Sequence, residues 1–161
     1  MKKYIAEVLG TCGLTLVVAL SLSGAFPVPT PVLVALTLGL FVYSVGHISG
    51  THINPAVTIG AWSIKKISGK EALWYITAQF VGAGIALGVA SLLGSSVVPD
   101  MVVANTAMVG VAEMLGMFFF TFGIASVIYG KAPSVFSGVV VGGSLLLGIT
   151  IAVLLGSNGV L

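Results

Sequence analysis

Five long apolar runs, separated by short polar segments, dominate the pattern of the chain. A helix rises about 1.5 Å per residue, so about 20 apolar residues cross the roughly 30 Å hydrocarbon core of a bilayer. The runs therefore predict five membrane-spanning helices, over residues 4–24, 32–46, 72–98, 107–129 and 135–155. A sixth run, 53–64, is too short to cross and begins with a polar turn, which predicts a re-entrant or interfacial segment.

The composition supports a membrane protein. Hydrophobic residues make up 58% of the 161 positions and charged residues 6%, with a mean hydropathy of +1.21. Soluble domains carry about 25% charged residues, so this chain cannot build a water-facing surface. The six basic residues are all lysines and form no basic stripe, so no nucleic-acid partner is expected.

The lysines predict the orientation of the chain. Lys2 and Lys3 precede the first run, three lysines lie between the second and third runs, and Lys131 lies between the fourth and fifth. If residues 53–64 do not cross, all six lysines fall on one side, which the positive-inside rule assigns to the cytoplasm. We therefore expect a multi-pass protein of the cell membrane with a cytoplasmic N-terminus.

A short repeat relates two parts of the chain. The pattern Ala-Glu-x-Leu-Gly occurs at residues 6–10 and again at 112–116. Three runs lie from one copy to the next, so the second copy enters the membrane from the opposite face, as in inverted-topology repeats with substrate sites near the midplane. We expect a single domain, 1–161, with a first repeat over about 1–98 and a partial second repeat over about 107–161.

The second repeat stops where the counterpart of Asn54 is expected. Aligning residues 159–161 with residues 51–53 places the next residue opposite Asn54. The sequence therefore predicts that the parent gene continues with a second Asn-Pro-Ala and one further span of about 20 residues. On this interpretation the 161-residue chain lacks a second half-helix and a sixth span.

The segment 46–60, GHISGTHINPAVTIG, is the polar centre of the pattern. Asn54 and Pro55 predict a helix start, with Asn54 as N-cap and Pro55 at the first helical position. Because this helix runs back toward lysines 65 and 66, its N-terminus lies deep in the membrane, where non-helical backbone must be buried in protein or line a water-filled cavity. We expect a path for water at which Asn54 donates a hydrogen bond; the alternative is a turn before an interfacial helix.

Both histidines lie in this segment. His47 and His52 are five residues apart, unlike the i,i+4 spacing of a helical zinc pair, and no cysteine or aspartate is near them. No metal site and no cofactor are therefore predicted. We expect each imidazole to hydrogen-bond backbone groups of the re-entrant loop.

Two glutamates, Glu7 and Glu113, occupy the same position in the two copies of the repeat. This repeated placement predicts that each carboxylate braces a re-entrant loop by accepting hydrogen bonds from it. An ionisable residue inside a membrane span can also relay protons. The alternative hypothesis is therefore a proton-coupled transporter of small solutes.

These motifs resemble the aquaporin and glycerol-facilitator family, the major intrinsic proteins. VGHISGTHINPAVTIG is similar to the family's first signature loop, and AEVLGT, AQFVGA and AEMLGMFFFTF are similar to its helices one, three and four. The resemblance implies an all-α membrane protein, an aquaporin-like inverted-repeat bundle that here has five spans and one re-entrant half-helix. It also implies a homotetramer with one pore per protomer, which is a passive channel for water and small neutral solutes such as glycerol, and no enzyme.

The resemblance also assigns residues. The first Asn-Pro-Ala motif and the pore-lining carbonyls that precede it fall on Asn54, Pro55 and Ala56 and on Gly50, Thr51, His52 and Ile53. Glu7 and Glu113 match the family's loop-supporting glutamates, and we group His47 with them. A selectivity filter, counted from the motifs, falls on Val34, Thr150 and Gly159. The chain lacks the arginine that usually follows the second motif, so a non-conducting fragment or assembly partner is a further alternative.

Overall fold

The computed structural model describes residues 1–23, 26–94 and 107–156. Within them the chain forms six α-helices, which are α1 (Lys2–Ser23), α2 (Thr30–Ser49), α3 (Pro55–Ser63), α4 (Gly69–Leu92), α5 (Ala107–Ile128) and α6 (Ser137–Gly156). All except α3 are long and apolar enough to cross a membrane. The nine residues of α3 span only about 14 Å. The expected fold class, five spanning helices and one half-helix, is confirmed for the described residues.

The loop before α3 is shorter than expected. The sequence predicted a span over 32–46 followed by a polar loop, but α2 continues through His47 to Ser49. Gly50 ends the helix in the left-handed conformation, with φ of 80°, and its N–H donates to the Gly46 carbonyl at 2.8 Å. The polar side chains near the end of α2 do not interrupt it, because the backbone groups there still hydrogen-bond within the helix. Only residues 50–54 therefore remain as loop.

The five long helices pack side by side in the order α4, α1, α2, α6, α5, and α3 packs against α4. Glycine allows the closest approaches. A Cβ atom on Gly142 of α6 would lie 2.5 Å from the Ala35 carbonyl oxygen of α2, and one on Gly148 would lie 2.5 Å from the Gly116 carbonyl oxygen of α5. Such contacts between backbones are typical of helices in lipid, where close packing rather than the hydrophobic effect holds them together.

The lysine-rich segments lie at one end of the bundle. Lys3 at the start of α1 forms an ion pair with Glu71 at the start of α4. Lys66, which follows α3, lies 4.9 Å from the centre of the Tyr129 ring, which follows α5. The starts of α1 and α4 and the ends of α3 and α5 therefore share an end, as the distribution of the lysines predicted.

The start of α3 lies at mid-height of the bundle. Ile53 is 2% exposed and belongs to a core cluster with Leu38, Phe120 and Val141. Leu38 and Phe120 lie near the middles of α2 and α5. The chain thus turns inside the bundle, and α3 returns from there to the lysine-rich end.

Candidate functional site

The loop 50–54 has a backbone that only its surroundings can hold. Thr51 and Ile53, two β-branched residues, have φ of 49° and 36°. In this left-handed region each residue of this kind costs about 1–3 kcal/mol. The loop therefore needs contacts with its surroundings that hold it in this conformation.

Glu7 of α1 supplies most of these contacts. Its carboxylate is fully buried and accepts four hydrogen bonds. Oε1 accepts from the Ser49 hydroxyl at 2.7 Å and the His52 N–H at 3.0 Å, and Oε2 accepts from the Ile53 N–H at 2.7 Å and the Gln79 side-chain amide at 2.8 Å. An ionised carboxylate has about four lone-pair sites. Each of them is used, and two hold the loop backbone directly.

Further hydrogen bonds fix the junction of α2 and the loop. The Thr51 N–H donates to the Ser49 hydroxyl at 3.1 Å, and the Thr51 hydroxyl donates to the Phe41 carbonyl at 3.2 Å. The Tyr75 hydroxyl of α4 donates to the Ser49 carbonyl at 2.9 Å. The loop is thereby tied to three helices, which explains how a strained backbone persists at mid-height of the bundle.

The start of α3 has the predicted geometry. Asn54 is the N-cap, with its side-chain oxygen accepting from the Ala56 N–H at 2.8 Å, and Pro55 occupies the first turn. Because the oxygen is used in the cap, the amide nitrogen of Asn54 remains a donor. The Asn54 carbonyl accepts from both the N–H and the hydroxyl of Thr58, each at 3.1 Å.

His52 lies in the loop, outside the five spanning helices, and its ring is mostly enclosed. Nδ1 lies 3.2 Å from the Thr58 hydroxyl oxygen, and the ring lies against Tyr75 with 5.0 Å between ring centres. The described residues contain no group of three or more potential metal ligands.

A cavity of about 640 Å³ lies beside this loop, toward the lysine-rich end. Its walls differ in polarity. One wall consists of the loop and α3, including Ser49, Gly50, Thr51, His52 and Ala56, and the facing wall consists mostly of apolar side chains of α5, including Phe120, Ile124 and Val127. A small molecule in this cavity meets hydrogen-bonding groups on one side and mainly hydrocarbon on the other.

The other predicted site residues lie elsewhere. His47 is exposed on α2, and none of the hydrogen bonds among the described residues involves its ring, so the expected contact with the loop is not formed. The helical continuation of α2 carries His47 away from the loop. Glu113 is exposed on α5 and has no hydrogen-bond partner in the described parts of the chain.

Two of the predicted filter residues, Val34 and Thr150, do not line this cavity. Val34 is buried near the start of α2, and Thr150 is exposed on α6, where its hydroxyl donates to the Leu146 carbonyl at 2.7 Å. Both lie toward the end of the bundle opposite the lysines. Gly159 lies outside the described residues. A filter role for these three residues stays a prediction.

Four residues that support this site were not identified from the sequence, namely Ser49, Thr58, Tyr75 and Gln79. Gln79 carried a signal. It is a polar side chain within an apolar run, and such residues in membrane spans turn toward the bundle interior and find partners. Thr58 and Ser49 carried no such signal, because a serine or threonine hydroxyl in a helix often bonds only to the backbone of that same helix.

Comparison with known proteins places the chain in context. The family model described as Major intrinsic protein matches residues 1–159. Aquaporin AqpM of Methanothermobacter marburgensis is 35% identical over 111 residues, which cover 63% of this chain and 45% of that protein. Aquaporin Z of Bradyrhizobium diazoefficiens is 31% identical over 170 aligned positions, which cover 91% of this chain and 71% of that protein. The match to the first of these relatives thus spans less than half of its length.

Proposed function

Because the chain belongs to the major intrinsic protein family, we propose that it forms a passive channel for water and small neutral solutes such as glycerol. One observation carries the proposal. Gly50, Thr51 and His52 of the loop, which Glu7 holds by two backbone N–H groups, line a cavity beside the point where Asn54 begins a half-helix inside the bundle. Non-helical backbone at that depth must be buried in protein or border water, and these three residues border the cavity.

The walls of the cavity suit the passage of water. Polar groups of the loop offer hydrogen bonds along one side, and the mostly apolar α5 wall offers few. Asn54 keeps a free amide donor at the N-terminus of α3, where the helix dipole carries a partial positive charge. Selectivity in such pores depends on diameter, hydrogen-bonding groups and electrostatic barriers. This arrangement favours neutral molecules over cations.

The hydrogen bonds of Glu7 favour the passive channel over the proton-coupled transporter. A proton on this carboxylate would occupy a lone pair that one of the four donors now uses. The displaced donor would be left buried and unpaired, at a cost of about 1–3 kcal/mol. A proton relay would therefore disturb the loop at every cycle.

The orientation and assembly belong to the same proposal. The shared position of the lysines favours a cytoplasmic location for the N-terminus in the cell membrane. The family resemblance supports a homotetramer. A cysteine introduced at Lys66 that reacts only with external, membrane-impermeant reagents would contradict the orientation, and a monomer in native mass spectrometry from lipid would contradict the assembly.

The experiment is osmotic shrinkage of liposomes that contain the 161-residue chain, measured with and without a transmembrane proton gradient. We expect water permeability above that of empty liposomes, unchanged by the gradient, and a second measurement with glycerol reports the solute range. Flux that requires the gradient would favour the transporter. Permeability equal to that of empty liposomes would favour the non-conducting alternative.

A further inference from the structure

A buried polar chain connects Glu7 to the ring of His52. Gln79 of α4 is 1% exposed, and its amide nitrogen lies 2.8 Å from Oε2 of Glu7 and 2.9 Å from the hydroxyl oxygen of Thr58. Thr58 is fully buried, and its hydroxyl oxygen lies 3.2 Å from Nδ1 of His52. Three side chains from three elements therefore act on one imidazole.

Glu7 sets the direction of the Gln79 amide. The carboxylate already accepts N–H groups of the loop, so the group that faces Oε2 from α4 must be a donor. Turning the amide would place its oxygen against the carboxylate. Oε1 of Gln79 has no hydrogen-bond partner among the described residues. The orientation of the amide is therefore fixed by the contacts of its nitrogen with Glu7 and Thr58. The Gln79 nitrogen consequently donates to Thr58 as well.

The hydrogen-bond capacity of Thr58 then determines the state of His52. A hydroxyl group has one hydrogen and two lone pairs. The hydroxyl hydrogen is donated to the Asn54 carbonyl oxygen at 3.1 Å, since a carbonyl can only accept. One lone pair of the hydroxyl oxygen accepts an N–H of the Gln79 amide. The remaining lone pair faces Nδ1 of His52 and requires a donor there. In a neutral imidazole the other nitrogen, Nε2, is then the acceptor.

The Nε2 edge of the His52 ring borders Gly50. A Cβ atom on Gly50 would lie 3.6 Å from Nε2, an ordinary van der Waals distance, and Gly50 and His52 both line the cavity. No hydrogen bond among the described residues involves Nε2. Nε2 therefore lies beside residues of the cavity wall with its hydrogen-bonding capacity unused.

We propose that Gln79 and Thr58 hold His52 in its Nδ1-protonated form, so that Nε2 accepts a hydrogen bond from a water molecule or from a hydroxyl group of a neutral solute in the cavity. Gln79 and Thr58 are positioning residues, and His52 is the binding residue. The identity of the bound molecule rests on the proposed function, but the tautomer of His52 does not.

The test is solid-state NMR of the chain, labelled with ¹⁵N in histidine and embedded in phospholipid bilayers near neutral pH. The chain has only two histidines, so a His47→Gln variant assigns the signals of His52. We expect a protonated Nδ1, a non-protonated Nε2 and magnetisation transfer from water to Nε2. A protonated Nε2 in the wild-type chain, or absence of transfer from water, would overturn the proposal.

Variants test the roles of the positioning residues. Thr58→Val and Gln79→Leu should each convert a measurable fraction of His52 to the Nε2-protonated form, because each breaks the chain of donors and acceptors. Thr77→Val is the matched control, since Thr77 lies on α4 near Gln79 but is exposed and bonds only to the Leu73 carbonyl. An unchanged tautomer in both test variants would overturn the positioning roles.

This readout separates the inference from the proposed function. An Nδ1-protonated His52 in a chain that conducts no water would contradict the channel and leave the inference intact. A chain that conducts water but has an Nε2-protonated His52 would contradict the inference and leave the channel intact.

Discussion

Glu7 and Glu113 occupy the same place in two copies of one five-residue pattern, yet their surroundings differ completely. Glu7 is fully buried and accepts four hydrogen bonds, whereas Glu113 is exposed on α5 with no hydrogen bond among the described residues. The motif sets the position of a carboxylate on a helix face. What the carboxylate does depends on the loop that other parts of the chain bring to it.

The difference also shows what allows a charge to be buried. A buried carboxylate is costly unless its lone pairs are used. The loop 50–54 has two N–H groups to satisfy, and Glu7 has lone pairs to fill. The strained loop and the buried charge therefore stabilise one another, and neither would persist alone.

The largest expected effect comes from removing the two carboxylates in turn. Glu7→Ala leaves four buried donors without their acceptor, so we expect a loss of more than about 3 kcal/mol in the free energy of unfolding. Glu113→Ala should not lower it in the same chain, because Glu113 has no hydrogen bond among the described residues and a carboxylate on the exposed face of a spanning helix is itself costly in lipid. Unfolding by sodium dodecyl sulfate in mixed micelles measures both.

Glu7→Gln sharpens this test because it keeps the size of the side chain. The amide brings two N–H groups to a place where only acceptors fit, so we expect most of the loss seen in Glu7→Ala. Equal losses for the variants of Glu7 and Glu113 would show that the buried network around Glu7 does not stabilise the fold.

The fold was largely predictable from the sequence, and the reasons are physical. Apolar runs of about 20 residues have one structural outcome in lipid, a spanning helix. The start of α3 was equally clear, since Asn54 and Pro55 form a local signal that tertiary contacts do not need to complete. The end of α2 was not, because polar residues continue a helix as readily as they form a loop, and the cap at Gly50 depends on one dihedral angle.

The site was predictable only in part. The contact of Glu7 with the loop could be predicted, because Glu7 occupies a repeated position that is visible in the sequence. The contacts of Gln79 and Thr58 join α4 to α3 across the bundle, and nothing in their local patterns identifies the pair. The location of His47 could not be anticipated either, because it turned on where α2 ends.

The second prediction concerns the packing between the two halves of the chain. A Cβ atom on Gly142 would lie 2.5 Å from the Ala35 carbonyl oxygen, whereas nothing lies within 4 Å of a Cβ atom on the neighbouring Gly143. Gly142→Ala should therefore lower the free energy of unfolding by about 2 kcal/mol through overpacking. Gly143→Ala, the matched control, should be neutral or slightly stabilising. Similar effects of the two substitutions would contradict the close approach of α2 and α6.

The third prediction concerns a new carboxylate at the start of α3. Asn54→Asp should change stability by less than about 0.5 kcal/mol, because aspartate caps helices as well as asparagine. It should nevertheless weaken the exclusion of cations, since negative charge offsets the positive end of the helix dipole. Water and cation permeability of liposomes measure the effect. Unchanged values of both would show that Asn54 does not border the path.

A small effect on stability is expected at the lysine-rich end, where α3 and α5 meet. Lys66→Gln removes the contact with the Tyr129 ring, at 4.9 Å, and should cost about 0.5 kcal/mol. Lys65→Gln is the neighbouring control, since the Lys65 side chain makes no hydrogen bond, ion pair or ring contact among the described residues. A larger loss for Lys65→Gln than for Lys66→Gln would contradict the assigned contact.

We infer that the face of α3 beside the Glu7-held loop borders the conducting path. The direct measurement uses a Cys12→Ala background, which removes the single native cysteine, and compares Ala56→Cys, on the cavity wall, with Ile59→Cys, which is exposed and outside it. Water permeability of liposomes is recorded before and after treatment with a small, water-soluble thiol reagent. Treatment should lower the permeability of the Ala56→Cys chain severalfold and leave that of the Ile59→Cys chain unchanged. Full permeability of the labelled Ala56→Cys chain, with modification verified by mass spectrometry, would contradict this inference.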